Sequence, residues 1–217
     1  ELYGGFDGTE GALEQRDPES HVVILSGDLD GNDPPDGANW KHNSRHVVRA
    51  SPAPPWPPVV LDGVTVKGGS ATGTEVYGGG LLATDASLIV RNCKFRYNRA
   101  AVGGGLCVLG AGTVVIESSA FEHCFIAGGG GGGGAALVSD ASSCAIRDSR
   151  FLACTSQILG VLLIIDAPAV IERCVIAGNQ SGATGAGLHI SETAGPVTIE
   201  DCLVVGNSSL LFNGGGL

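Results

Sequence analysis

Written in lines of 25 to 30 residues, the chain shows two apolar columns. Leu61, Val90, Ile116, Ile146, Ile171 and Ile199 form the first. Val66, Phe95, Phe121, Phe151, Ile176 and Val204 form the second, five residues further on. The column just after the first is charged: Asp62, Arg91, Glu117, Arg147, Glu172 and Glu200. A further column, three residues past the second, holds Gly69, Asn98, Cys124, Cys154, Asn179 and Asn207. The apolar positions are rich in β-branched residues and carry no helical stripe, so the elements they predict are short strands repeated at a fixed period.

A repeat of this length cannot bury an apolar face alone, and stacking buries it. The predicted fold is therefore all-β, a right-handed parallel β-helix of about six recognisable coils plus an irregular N-terminal part. The hand follows from the strong preference of parallel crossovers. Matching residues of adjacent coils then lie about 4.8 Å apart. Stacking in register pairs opposite charges at four of the five steps of the charged column. Phe95, Phe121 and Phe151 are expected to stack inside the bore.

Each line continues into a glycine cluster and another apolar strand, as in Gly78-Gly79-Gly80-Leu81-Leu82-Ala83 and Gly103-Gly104-Gly105-Leu106-Cys107-Val108. Length variation falls just before these clusters, including the run Gly128 to Gly134. Strand alternation places Leu81, Leu106, Ala136, Leu162 and Leu188 inward and the following residues outward. Leu82, Cys107, Leu137 and Leu163 would then form an outward apolar stripe, widened by Ile165. An exposed stripe of this kind marks a contact surface. It is expected to meet other protein chains or other segments of a parent protein, with the open coil ends allowing end-to-end self-association.

Residues 1–58 are less regular and read as early coils of the same β-helix, with residues 59–217 as its repeats in one continuous domain. Val22 to Leu25 and His46 to Val48 read as short strands. Between them, Asp28, Asp30, Asn32 and Asp33 alternate acidic and amide side chains in the manner of a calcium loop. The EF-hand pattern would place glycine sixth and glutamate twelfth, where this chain has Asp33 and Asn39. A solvated turn is the plainer reading and bound calcium the alternative. Pro52, Pro54, Pro55, Pro57 and Pro58, with Trp56, are expected to cross outside the sheets, because proline cannot donate to a ladder.

A formal net charge of −10 argues against non-specific nucleic-acid binding. No apolar run is long enough for a transmembrane helix. Glycine makes up 36 of the 217 residues without a Gly-X-Y period, which excludes collagen. Most of the seven cysteines fall in columns that elsewhere hold valine, serine or alanine, which suits small buried hydrophobes. The chain begins within a strand-like stretch and stops at a glycine cluster, and is expected to be part of a longer or processed protein.

Phe95-Arg96-Tyr97-Asn98 followed by Gly103-Gly104-Gly105-Leu106 resembles the repeats of chlamydial polymorphic outer-membrane proteins and related β-helix surface proteins. The later copies drift to Phe121-Glu122-His123-Cys124, Phe151-Leu152-Ala153-Cys154 and Ile176-Ala177-Gly178-Asn179. The opening Leu2-Tyr3-Gly4-Gly5-Phe6, with Leu25-Ser26-Gly27-Asp28, is similar to the segment preceding such repeats in large secreted bacterial proteins. The resemblance implies an extracellular or cell-surface location and an adhesive or structural role. Cys124 and Cys154 depart from its asparagine column.

β-Helices also carry polysaccharide lyases and glycoside hydrolases, so a polysaccharide-binding or polysaccharide-degrading domain is the alternative function. Its best catalytic candidates are Glu172 and Glu200, one coil apart at a spacing compatible with a retaining glycosidase pair. A surface charge ladder produces the same pattern, with Arg173 as an ion-pair partner. Six phenylalanines, three tyrosines and two tryptophans, three of them assigned to the bore, leave few rings for sugar stacking. No cofactor is expected apart from the calcium alternative.

Overall fold

The computed structural model describes residues 1–34, 39–51, 57–74, 76–128, 131–193, 195–211 and 214–216. The chain winds through about five full turns and part of another, and each turn visits four parallel sheets. The first sheet orders Leu2–Tyr3, Val59–Asp62, Leu88–Arg91, Thr113–Glu117, Ser143–Arg147, Ala169–Glu172 and Val197–Glu200. The second runs from Val23–Ser26 through Val64–Lys67, Lys94–Arg96, Ala120–Glu122, Arg150–Leu152 and Val175–Ala177 to Leu203–Val205. The third is made of two-residue strands, Ser70–Ala71 to Ser208–Ser209. The fourth runs from Val48–Ala50 to Leu188–Ser191 and contains the strands after the glycine clusters. The sequence predicts two or three strands per coil; the third-sheet strands are too short to carry a pattern of their own.

Register follows the columns. Leu61 pairs with Val90, Val90 with Ile116, and the series continues to Ile199. Phe95, Phe121 and Phe151 are fully buried, with ring centroids 4.7 and 5.0 Å apart and planes within 7° of parallel. Burial of side chains this large supplies the main driving force for stacking.

The corners explain why four sheets fit so short a period. Between the first and second sheets the chain turns at one left-handed residue in each coil: Gly63, Asn92, Ser118, Asp148, Arg173 and Asp201. Between the second and third it turns at Gly68, Tyr97, His123, Ala153, Gly178 and Gly206. A left-handed conformation costs a non-glycine residue about 1–2 kcal/mol, and asparagine or aspartate somewhat less. Neighbouring coils recover that cost through backbone hydrogen bonds such as Asn92 N to Glu117 O and Tyr97 N to Glu122 O, both 3.2 Å. Before the fourth sheet only glycine fits at some positions. A Cβ on Gly104 would lie 2.5 Å from the Gly134 carbonyl oxygen and 2.6 Å from that of Phe125.

Two ladders of small polar side chains line the bore beside these corners. Asn98 Nδ2 donates to the Val66 carbonyl at 2.9 Å, Asn179 Nδ2 to Phe151 at 2.9 Å and Asn207 Nδ2 to Ile176 at 2.8 Å. In the coils where asparagine is replaced, the thiols of Cys124 and Cys154 donate to the equivalent carbonyls of Phe95 and Phe121, at 3.4 and 3.5 Å. Ser119, Ser149, Cys174 and Cys202 form the second ladder, each donating to the carbonyl two residues earlier. All seven cysteines are free thiols, and all but Cys202 are buried.

The N-terminal residues do more than begin the stack. Arg16 reaches back to Asp62, whose side chain is fully buried although its position faces away from the bore. Arg91 Nε donates to the same carboxylate at 2.5 Å and Asn92 Nδ2 at 2.9 Å. Asp62 is thus the anchor of an N-terminal strap. Of the proline crossing, residues 52–56 lie outside the described residues, and Pro57 and Pro58 are outside the sheets.

Candidate functional site

The outward stripe on the fourth sheet is covered, which corrects the expectation of an exposed interface. Leu82, Cys107, Leu137 and Leu163 do point away from the bore, yet they are at most 5% exposed. They form a second apolar cluster with Val102, Leu109, Leu159 and the half-buried Ile165. The cover comes from the corner loops before the glycine clusters, which fold back over the strands they lead into. These loops stack on one another, Gly78 N donating to Val102 O at 3.0 Å, Gly103 N to Gly132 O at 3.2 Å and Gly133 N to Gly160 O at 2.8 Å. Close packing favours glycine here: a Cβ on Gly133, whose φ is 73°, would lie 2.8 Å from the Leu137 Cβ and 2.9 Å from the Ala136 carbonyl oxygen. The apolar pattern belongs to an outer core layer built by this chain itself.

The charged column is in register, and it is an ion-pair ladder only in places. Arg91 pairs with Asp62, and Arg147 Nε with Glu172 Oε2 at 3.1 Å. Glu172 and Glu200 are adjacent, as the spacing predicts. The Glu172 carboxylate also accepts from Arg173 Nη1 at 3.2 Å, and Arg173 binds both carboxylate oxygens of Asp148, at 2.7 and 2.9 Å. Glu172 is thus held between two guanidinium groups, as one member of a ladder of charges.

In the acidic loop, Asp28 accepts the backbone N–H groups of Asn32 and Asp33, both at 3.1 Å. Asp33 Oδ2 accepts from Asn43 Nδ2 at 2.7 Å, Asp30 Oδ2 lies 2.5 Å from His42 Nδ1, and Asn32 Oδ1 accepts from Asn39. These side chains close their own loop. Among the described residues no group of three or more histidines, cysteines or acids is gathered in a metal-binding arrangement.

The corner between the second and third sheets gathers rings that sequence reasoning left unassigned. Tyr97 and His123 occupy its left-handed column and stack at 5.1 Å with planes 5° apart. Phe125 projects outward from the third sheet two residues later, and Trp40 packs edge-on against it at 5.3 Å. The Arg99 guanidinium lies 4.8 Å from the centre of the Trp40 ring, and that of Arg96 5.7 Å from Tyr97. Beside the rings lies an open cavity of about 420 Å³, lined by Tyr97, His123, Cys124, Phe125, Ala153 and Thr155. Column alignment carried the signal for Tyr97 and His123, each two residues after a bore phenylalanine. Trp40 lies in the irregular N-terminal part and gave none.

Four parallel ladders, one strand of each per turn, define a parallel β-solenoid. The family profile described as "Right handed beta helix region" matches residues 35–217, and the chain belongs to that family. No curated protein and no solved structure matches the chain. No helix of the described residues is long and apolar enough to cross a membrane.

Proposed function

We propose that the chain is a rigid contact module of an extracellular or cell-surface protein, acting by binding rather than by catalysis. The observation that carries this reading is the aromatic corner. The fourth-sheet stripe is covered by the chain's own loops, and Arg91, Arg147 and Arg173 are paired with carboxylates. At the corner, half-exposed Tyr97 and Phe125 and exposed His123 line one cavity, and half-exposed Trp40 packs against Phe125. Rings on a rigid scaffold bind at little entropic cost. The resemblance of the Phe-x-x-Asn and glycine-cluster repeats to chlamydial polymorphic outer-membrane proteins supports an exported, adhesive role.

The test uses cells that produce the protein and antibodies raised against the purified chain. Immunogold labelling of intact cells is expected; labelling only after permeabilisation would refute the reading. The purified chain should release no reducing ends or unsaturated uronates from plant, algal or bacterial polysaccharides. Measurable release, abolished by Glu172→Gln, would replace contact with catalysis at the Glu172–Glu200 pair.

A further inference from the structure

We infer that the cavity at the aromatic corner is a slot for one neutral pyranose ring, stacked on the free face of His123. The inference rests on the contact-module reading and names its ligand class. The corner column steps from Tyr97 to His123 to Ala153, one residue per coil. Tyr97 covers one face of the His123 imidazole. The other face points along the axis toward Ala153, whose methyl group leaves a gap where a third ring would continue the stack. Coil spacing of about 4.8 Å lies within the range of ring stacking. The cavity is therefore a missing rung, open to solvent on its outer side.

The chemistry of the walls selects the ligand. The His123 and Phe125 rings and the Ala153 methyl are surfaces for C–H groups, while Thr155 contributes a hydroxyl to the lining. A pyranose has that character, apolar on its faces and hydroxylated round its edge. A few polar groups on a mostly apolar concave wall fix orientation in such sites. Both neighbouring arginines are engaged. Arg96 Nε lies 3.0 Å from Glu122 Oε2, and Arg99 Nε donates to Ser70 at 2.8 Å while its guanidinium covers Trp40. The rim thus offers hydroxyl-type hydrogen bonding rather than fixed positive charge, which favours a neutral sugar over a uronate.

The corner column also supplies the test variants. Tyr97 and Ala153 share the same backbone conformation, φ 51° in both, so Ala153→Tyr places a side chain that this column already accepts. It fills the slot with the protein's own ring. His123→Ala repeats the residue that the column carries at Ala153 and removes the platform.

Saturation-transfer NMR would be run on the whole chain with cellotetraose, chitotetraose and mannotetraose. Tetragalacturonate and N-acetyltyrosinamide serve as the acidic and aromatic comparisons. At least one neutral tetrasaccharide should receive saturation, most strongly at the C–H groups of one ring. Its affinity should fall about tenfold or more in Ala153→Tyr and in His123→Ala, the loss of one stacking contact. Far-ultraviolet circular dichroism and the melting temperature should match the parent chain. Silence from all three neutral sugars, preference for the uronate or the tyrosine amide, or unchanged binding by a folded Ala153→Tyr variant would overturn the assignment. Surface labelling with every sugar silent removes the slot alone; labelling confined to permeabilised cells removes the contact reading whatever the sugars do.

Discussion

The rings of Phe95 and Phe121 lie face to face in the bore, 4.7 Å between centroids and 5° from parallel. Phe151 continues the stack, so Phe121 is sandwiched on both sides. Its replacement by alanine removes two stacking contacts and leaves a cavity that the flanking coils cannot close without breaking register. Phe121→Ala is expected to destabilise the chain by about 3–5 kcal/mol in urea denaturation. A loss below about 1 kcal/mol would mean that the coils relax around the gap far more than in ordinary cores.

The cysteines should be chemically silent until the chain opens. Burial pushes the thiols of Cys107 and Cys144 up to about 12, and those of Cys93 and Cys174 to about 11. The thiolate is the reactive form. At pH 8, iodoacetamide is expected to label the native chain first at half-buried Cys202 and all seven cysteines only in denaturant. Rapid native labelling at Cys107 would show that the cover over the fourth sheet opens readily.

Asp62 makes stability depend on acid. Burial alone would raise its carboxyl pKa; donors from Arg16, Asn92 and Arg91 outweigh that and hold it below the ordinary aspartate value. A depressed folded-state value means that the contribution is complete above the unfolded pKa of about 3.9 and disappears as pH falls through the folded value. Asp62→Asn should therefore cost about 3 kcal/mol near neutral pH, the lower end for a buried pair because Arg91 is partly solvated. The gap between variant and parent should narrow below about pH 4. A gap independent of pH would show that the amide loses shape rather than charge.

The bore was legible in the sequence because every coil repeats the same inward choice. Leu61 to Ile199 and Val66 to Val204 needed only alignment of like with like. The outward side was harder to read. Alternation tells whether Leu137 faces the bore, but not whether another layer lies beyond it, and the loops that cover it vary in length and are rich in glycine. Asp62 misleads in the same way: its column predicts a surface charge, while Arg16, 46 residues earlier, buries it. Tyr97 and His123 stood in a visible column. Their partners Phe125 and Trp40 come from a two-residue strand and an irregular segment, which periodicity does not reach.

The single-residue corners turn the fold into a counting device. A strand presents alternate residues to opposite sides, so the number of residues between two corners decides which side chains enter the bore. Loss of one residue at Asp148 would swap inside for outside along the strand that carries Phe151, setting an aromatic ring against water and Arg150 against the core. The two tight corners are thus phase locks, intolerant of any change in length. The looped side before the glycine clusters is the coil's slack, where residues can be added without disturbing the count.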